Sequence, residues 1–343
     1  MTSITISVDI SGGDHGHTAT MPAVLNFLQK NQAAKVVAVG DQTEISPYLK
    51  NISASIMSRI EIVHAEQKVT MDEEPIKALR FKKQSSMRRS IDLMANKKAD
   101  ICVSAGNTGA LMAMSHFVLK PIEGVERPAI MGSFPTKNGK EVSVLDLGAN
   151  VTASAENLYQ FGLISSMMMR AVKGFAPKVG LLNVGHEDIK GTAAIKEAAS
   201  KMQDCEHINY IGYIEGDEVF ENVADIILCD GFVGNVMLKS CEGLVQTIVH
   251  QIKNSFKRRP IFAVITQKIF KAILKEALVD YDVDHRNGAL FIGLNNLVVK
   301  THGKASSTAY TSALELAYNT ALNLQGVDYY SKIKSILAAE RSA

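Results

Sequence analysis

The chain has four cysteines in 343 residues, Cys102, Cys205, Cys229 and Cys241, and no C-x-x-C pair among them. That absence excludes the common zinc patterns and a disulfide framework, and it fits a reducing compartment. Neither charge dominates: 37 Lys and Arg stand against 35 Asp and Glu, a net charge of +2. Nucleic-acid binding across the whole surface is therefore disfavoured. Aromatic residues make up only 6% of the chain. The basic stretch 71–98 contains Phe81 as its single aromatic residue, so a base-stacking platform is missing. The N-terminal MTSITISVDISGGDHG has neither the basic nor the apolar region of a secretory signal and reads as a first strand. The uncharged stretch 101–119 contains Ser104, Asn107, Thr108, Ser115 and His116, which a bilayer core tolerates badly. A cytoplasmic protein is expected.

Hydrophobic residues make up 46% and charged residues 21%, enough to bury a sizeable core. Neither repeats nor a domain linker are apparent, so one large domain is expected over 1–343. A short apolar run, a Gly-containing turn and a helical pattern recur in that order. The runs are 4–9, 35–39, 99–104, 142–146, 178–183 and 224–229. Strands alternating with helices predict a three-layer α/β/α fold with a mainly parallel sheet. In such a fold ligands bind beyond the carboxyl ends of the strands, where helix N-termini offer free N–H groups to an anion.

Three of these turns carry chemistry. The run Ser104-Ala105-Gly106-Asn107-Thr108-Gly109 brackets an amide and a hydroxyl between glycines at a helix start. It is neither a P-loop, since no Lys follows the second Gly, nor the G-x-G-x-x-G of dinucleotide sites. Lys190 precedes Gly191-Thr192 and a helix predicted over 193–202, placing an ammonium near a helix N-terminus. Asn235 closes Asp230-Gly231-Phe232-Val233-Gly234-Asn235; it suits either a helix N-cap or a donor to a carbonyl or phosphate. His15, after Gly12-Gly13-Asp14, suits a phosphate donor, a base or a cap. Pro75 fits a helix start.

Taken in order from Ile4 to Leu324, these segments resemble the bacterial phosphate acyltransferases of phospholipid synthesis, also called acyl-ACP:phosphate transacylases. The resemblance rests on Asp9 with the Ser11–His15 turn, Met71-Asp72-Glu73-Glu74-Pro75, Ala78-Leu79-Arg80 with Lys82-Lys83 and Ser85-Ser86-Met87, the SAGNTGALMA run from Ser104, Arg127-Pro128-Ala129, Leu145–Asn150, Asp230–Asn235 and Lys239. Two positions depart from the family pattern. Ser11 stands where the family commonly has Met, and Asn287–Gly293 (NGALFIG) stands where it usually has Gly-Gly-Ala-Pro-Leu-Leu-Gly. The second is expected to form a loop.

The resemblance implies transfer of a long-chain acyl group from acyl carrier protein to inorganic phosphate. It implies a fold similar to the isocitrate/isopropylmalate dehydrogenase and phosphotransacetylase group, working as a homodimer without metal or other cofactor. Lys190 and Asn235 match the family's functional positions and are expected to be catalytic. Ser104, Gly106, Asn107, Thr108, Gly109 and His15 are expected to hold phosphate, and Arg80, Lys82 and Lys83 to dock the acidic carrier protein. A short-chain phosphotransacylase acting on acyl-CoA is the alternative. A projecting amphipathic segment is expected over 253–281. There Phe262, Ile265, Ile269 and Ile273 form an apolar stripe, and the charge over 253–276 is 7 − 1 = +6. Such a segment suits peripheral contact with an anionic membrane.

Overall fold

The computed structural model describes residues 3–257 and 287–342. The membrane segment expected at 253–281, with Phe262, Ile265, Ile269 and Ile273, lies almost entirely outside these residues. Among the described residues no helix is long and apolar enough to cross a membrane.

Among the described residues one sheet of 11 strands forms the middle layer. In chain order its strands are β1 (Thr5–Asp9), β2 (Lys35–Gly40), β3 (Ile60–His64), β4 (Ile101–Ser104), β5 (Ala129–Pro135), β6 (Glu141–Leu145), β7 (Lys178–Leu182), β8 (Asn209–Ile214), β9 (Ile226–Leu228), β10 (Ala289–Ile292) and β11 (Val298–Lys300). Their spatial order is β3-β2-β1-β4-β11-β10-β5-β6-β9-β7-β8. All six predicted runs are strands, and the α/β architecture is as expected.

Two features differ from expectation. Residues 289–292 are a strand, β10, antiparallel to both β11 and β5. Four apolar residues between glycines are too few to show a period. The second difference is one of direction. Reversals at β11–β10, β10–β5 and β5–β6 split the sheet into two parallel blocks running oppositely. The carboxyl ends of β1, β2 and β4 therefore lie along one edge, and those of β6, β7 and β9 along the other. The expected single row of ligand-facing turns is thus divided between two edges.

Alternation along the strands fills both faces. Ile101 and Val103 join the core containing α1 (His17–Lys30), α7 (Ala155–Lys173), α10 (Ser307–Leu324) and α11 (Tyr329–Ser342). Cys102 faces the other core, with α5 (Ser86–Ala95) and α6 (Thr108–Leu119). The period of two makes each strand serve both layers. On that second face lie also α4 (Pro75–Phe81) and the long α9 (Gly231–Lys257), whose Met237 and Leu238 pack on the same core. Pro75 occupies the first turn of α4, as predicted.

Candidate active site

The site is assembled by buried polar groups beneath two turns. Asp9, at the end of β1, is fully buried and accepts hydrogen bonds from Ser86 Oγ and Ser104 Oγ, both at 2.6 Å. Burial raises its pKa against the pull of these two bonds. Ser104 Oγ in turn accepts from the Gly106 amide at 3.0 Å. Asn107 caps α6: its Oδ1 accepts from the Ala110 amide at 3.0 Å, while Nδ2 donates to Met71 O at 2.8 Å and Glu73 O at 3.0 Å. The side chains of Ser104 and Asn107 are therefore engaged in holding the turn, and Gly106 is buried beneath it. Of the residues expected to hold phosphate, Thr108 and Gly109 are the members that line a cavity.

The second turn follows β6. Asp146, also fully buried, accepts five N–H groups: Ile130 N at 3.0 Å, Gly148 N at 3.1 Å, Ala149 N at 2.9 Å, Asn150 N at 2.7 Å and Asn150 Nδ2 at 2.9 Å. One carboxylate thereby fixes the whole 147–150 loop. Helix α9 begins directly on this loop. A Cβ at Gly231 would meet Asn150 O at 2.4 Å, and one at Gly234 would meet Asp146 O at 2.0 Å, so both glycines of the D-G-F-V-G-N run are there for close approach. Asp230 Oδ1 accepts from the Val233 amide at 2.8 Å and caps the helix start. Asn235 consequently lies a turn inside α9. It is not an N-cap; it is exposed, and its side chain lies over Gly148, whose φ of 122° suits glycine alone.

Turns from both sheet edges meet across α9. A cavity of about 740 Å³ lies between α9 and strands β5, β10 and β11. Its polar lining includes Thr108, Asn235, Lys239, Lys300 and His302. Phe134, Leu147, Phe220, Leu238, Leu244 and Val245 supply an apolar wall. A smaller cavity of about 430 Å³ adjoins it, sharing Thr108, Ile130 and Gly148, and is lined further by Arg127 and His116.

Lys300, which ends β11, was not visible in the sequence as a site residue. There it closes the apolar run LVV and reads as a solvated lysine at a strand end. In the structure it is buried, and its ammonium donates to the Ala105 and Thr301 carbonyls. Burial lowers its pKa to about 8, with Asp9 acting in the opposite sense. Burial, and then the Lys239 ammonium, also lower the pKa of His302. His302 Nδ1 accepts from the Lys304 amide at 3.2 Å, which leaves the proton of the neutral ring on Nε2.

Lys190 follows β7, the parallel neighbour of β9, so it shares a sheet edge with the start of α9. It does not line either cavity; its exposed ammonium pairs with Glu187 at 2.8 Å. His15 is exposed beyond β1 and lines neither cavity. Arg80 and Lys83 are exposed at the end of α4, and Lys82 lies 3.9 Å from Glu73. Among the described residues no group of three or more His, Cys, Asp and Glu side chains is placed to hold a metal.

The fold is similar to that of phosphotransacetylases. It is similar to a phosphotransacetylase from Streptococcus pyogenes (TM-score 0.61, 12% identity, 94% of this chain and 95% of that one). It is also similar to a branched-chain phosphotransacylase from Enterococcus faecalis V583 (TM-score 0.58, 14% identity, 92% and 99%). In sequence, a family described as fatty acid synthesis protein matches residues 4–325. A phosphate acyltransferase of Shewanella baltica OS155 is 44% identical over 338 residues, covering 98% of both chains, and one of Shewanella sp. MR-4 is equally similar. The chain belongs to this family of phosphate acyltransferases, enzymes of fatty acid and phospholipid synthesis.

Proposed function

We propose that the protein transfers a long-chain acyl group from acyl carrier protein to inorganic phosphate. The observation that supports this reading is the larger cavity, whose cationic polar lining runs into an apolar wall. Its volume is that of a substrate cavity and far exceeds an acetyl group. Phosphate is already an anionic nucleophile at neutral pH. One of its oxygens attacks the thioester carbon; the C–O bond forms, the C–S bond breaks, and the leaving thiolate takes up the phosphate's proton. The protein then has only to hold both reactants and stabilise the oxyanion. Asn235 supplies an amide donor at the cavity. Lys190 stands at the neighbouring strand end, and its exposed pair with Glu187 is of a kind that contributes little and exchanges readily for phosphate. Thr108 presents the α6 N-terminus to the same space, and Gly109 to the smaller cavity beside it.

The carrier protein is assigned to α4. Arg80 and Lys83 are exposed there beside the exposed apolar side chains of Ile76 and Phe81. A Cβ at Gly109 would lie 2.7 Å from Pro75 Cγ, so this basic helix adjoins the mouth of the site. Thiol release from palmitoyl-ACP, palmitoyl-CoA and acetyl-CoA, with and without phosphate, tests both points. Phosphate-dependent release is expected chiefly from palmitoyl-ACP. Arg80→Glu with Lys82→Glu and Lys83→Glu is expected to reduce use of palmitoyl-ACP at least tenfold more than use of palmitoyl-CoA. Preference for acetyl-CoA would identify a short-chain phosphotransacylase, and equal losses with both palmitoyl donors would end the docking assignment.

A homodimer and peripheral attachment to an anionic membrane complete the proposal. Val236 and Ile248 are exposed along α9, outside the cavity lining, and provide apolar surface for a second copy. Attachment is assigned to 253–281. Salt-sensitive sedimentation with anionic liposomes is expected, and Phe262→Asp with Ile269→Asp should remove it while activity on soluble substrate persists. Unchanged sedimentation of that double variant would exclude the segment as the anchor.

A further inference from the structure

The larger cavity contains a set of donors that the turn motifs do not supply. Lys300 and Asn287 are each only 8% exposed, and both line the cavity. Asn287 Oδ1 accepts from Thr301 Oγ1 at 2.7 Å and from the His302 amide at 3.2 Å. These two bonds fix the orientation of the amide and use its acceptor. Its Nδ2 is buried without a hydrogen-bond partner among the described residues. Native proteins rarely leave such a donor unpaired, and a site for a ligand or ordered water is the usual explanation. Lys300 lines the same cavity, its ammonium anchored through the Ala105 and Thr301 carbonyls. Lys239 brings a second ammonium to the same cavity, where it pairs with Glu242 at 2.9 Å. The Thr301 hydroxyl proton is committed to Asn287 and the Glu242 carboxylate is taken up by Lys239, so at Asn287 and Lys300 the groups left over are N–H donors and positive charge. Such a set selects an anionic acceptor of hydrogen bonds.

We propose that Lys300 and Asn287 form the seat of the acceptor phosphate, with Lys239 completing its charge neutralisation; this rests on the acyl-transfer reading above. The Ser104–Thr108 turn then serves mainly as the wall that positions the Ala105 carbonyl under Lys300. An anion bound here also offsets the burial of Lys300, which in its absence disfavours the charged ammonium.

Steady-state kinetics with inorganic phosphate and an acyl thioester tests the seat. Lys300→Met is expected to raise KM for phosphate at least tenfold and to change KM for the thioester less than twofold. Asn287→Asp keeps the acceptor for Thr301 and His302 but replaces the free donor with a negative charge; it is expected to raise KM for phosphate at least as much. Lys300→Arg should recover part of the loss. An unchanged KM for phosphate, or a rise confined to the thioester, overturns the proposal. A measurement on the wild-type protein needs no variant to fold. Saturating phosphate is expected to slow carbamylation of Lys300 by cyanate at least fivefold, read by peptide mass spectrometry, and to leave the exposed Lys77 unaffected. Equal rates with and without phosphate overturn the assignment. If no thioester gives phosphate-dependent thiol release, the acyl-transfer reading fails by itself. Calorimetric titration of phosphate onto wild-type and Lys300→Met protein then still decides the seat: weaker binding by the variant supports it, and equal binding overturns it.

Discussion

Asn235→Ala is expected to lower phosphate-dependent turnover by about a hundred- to a thousandfold, the usual loss for one donor to a developing oxyanion. The side chain is exposed and makes no structural hydrogen bond among the described residues, whereas its position is tightly fixed. Gly231 and Gly234 let α9 rest directly on the 146–150 backbone, and Gly148 lets the Asn235 side chain lie over the loop. Alanine is a better helix former than asparagine, so the thermal midpoint should stay within a degree or two of wild type. Lys190→Ala is expected to give a loss of the same order, since it removes the cation from the neighbouring strand end. Near-normal turnover of either purified variant would remove that residue from the reaction.

Asp146→Ala is expected to have the largest effect on the folded state. It leaves unpaired the five N–H groups that converge on one buried carboxylate. An orphaned buried donor costs about 1–3 kcal/mol, and relaxation of the loop recovers only part of the sum, so a net loss of at least about 3 kcal/mol is expected. Urea denaturation followed by circular dichroism gives the value. Activity should fall with it, because the 147–150 loop carries Gly148 into both cavities and supports the start of α9. A variant with wild-type stability would show that the loop is held by something other than this carboxylate.

The sequence by itself determined the local grammar of the protein. Six apolar runs ending in glycine turns became strands, because a run buried on both faces admits few polar residues. Pro75 opened a helix as expected, and Asn107, assigned from its motif to phosphate, capped another; both preferences act within one turn of backbone. The ordered motifs also placed the chain in its family. Strand direction and neighbourhood were decided only in the tertiary structure. Whether a short run such as residues 289–292 pairs antiparallel with β5 and β11 depends on partners about 160 residues away in one case and a single hairpin in the other. For the same reason the sequence assigned donors to the Ser104–Gly109 turn without showing that Asp9, far earlier in the chain, takes up Ser104. Lys300 is an ordinary lysine after an apolar run until β11 inserts between β4 and β10. Pairing with β4 sets it level with Ser104 beside the cavity, and burial then makes its charge matter. Local hydrogen bonding is encoded within a few residues; the environment of a buried charge is set by contacts that only the packed sheet and α9 bring together.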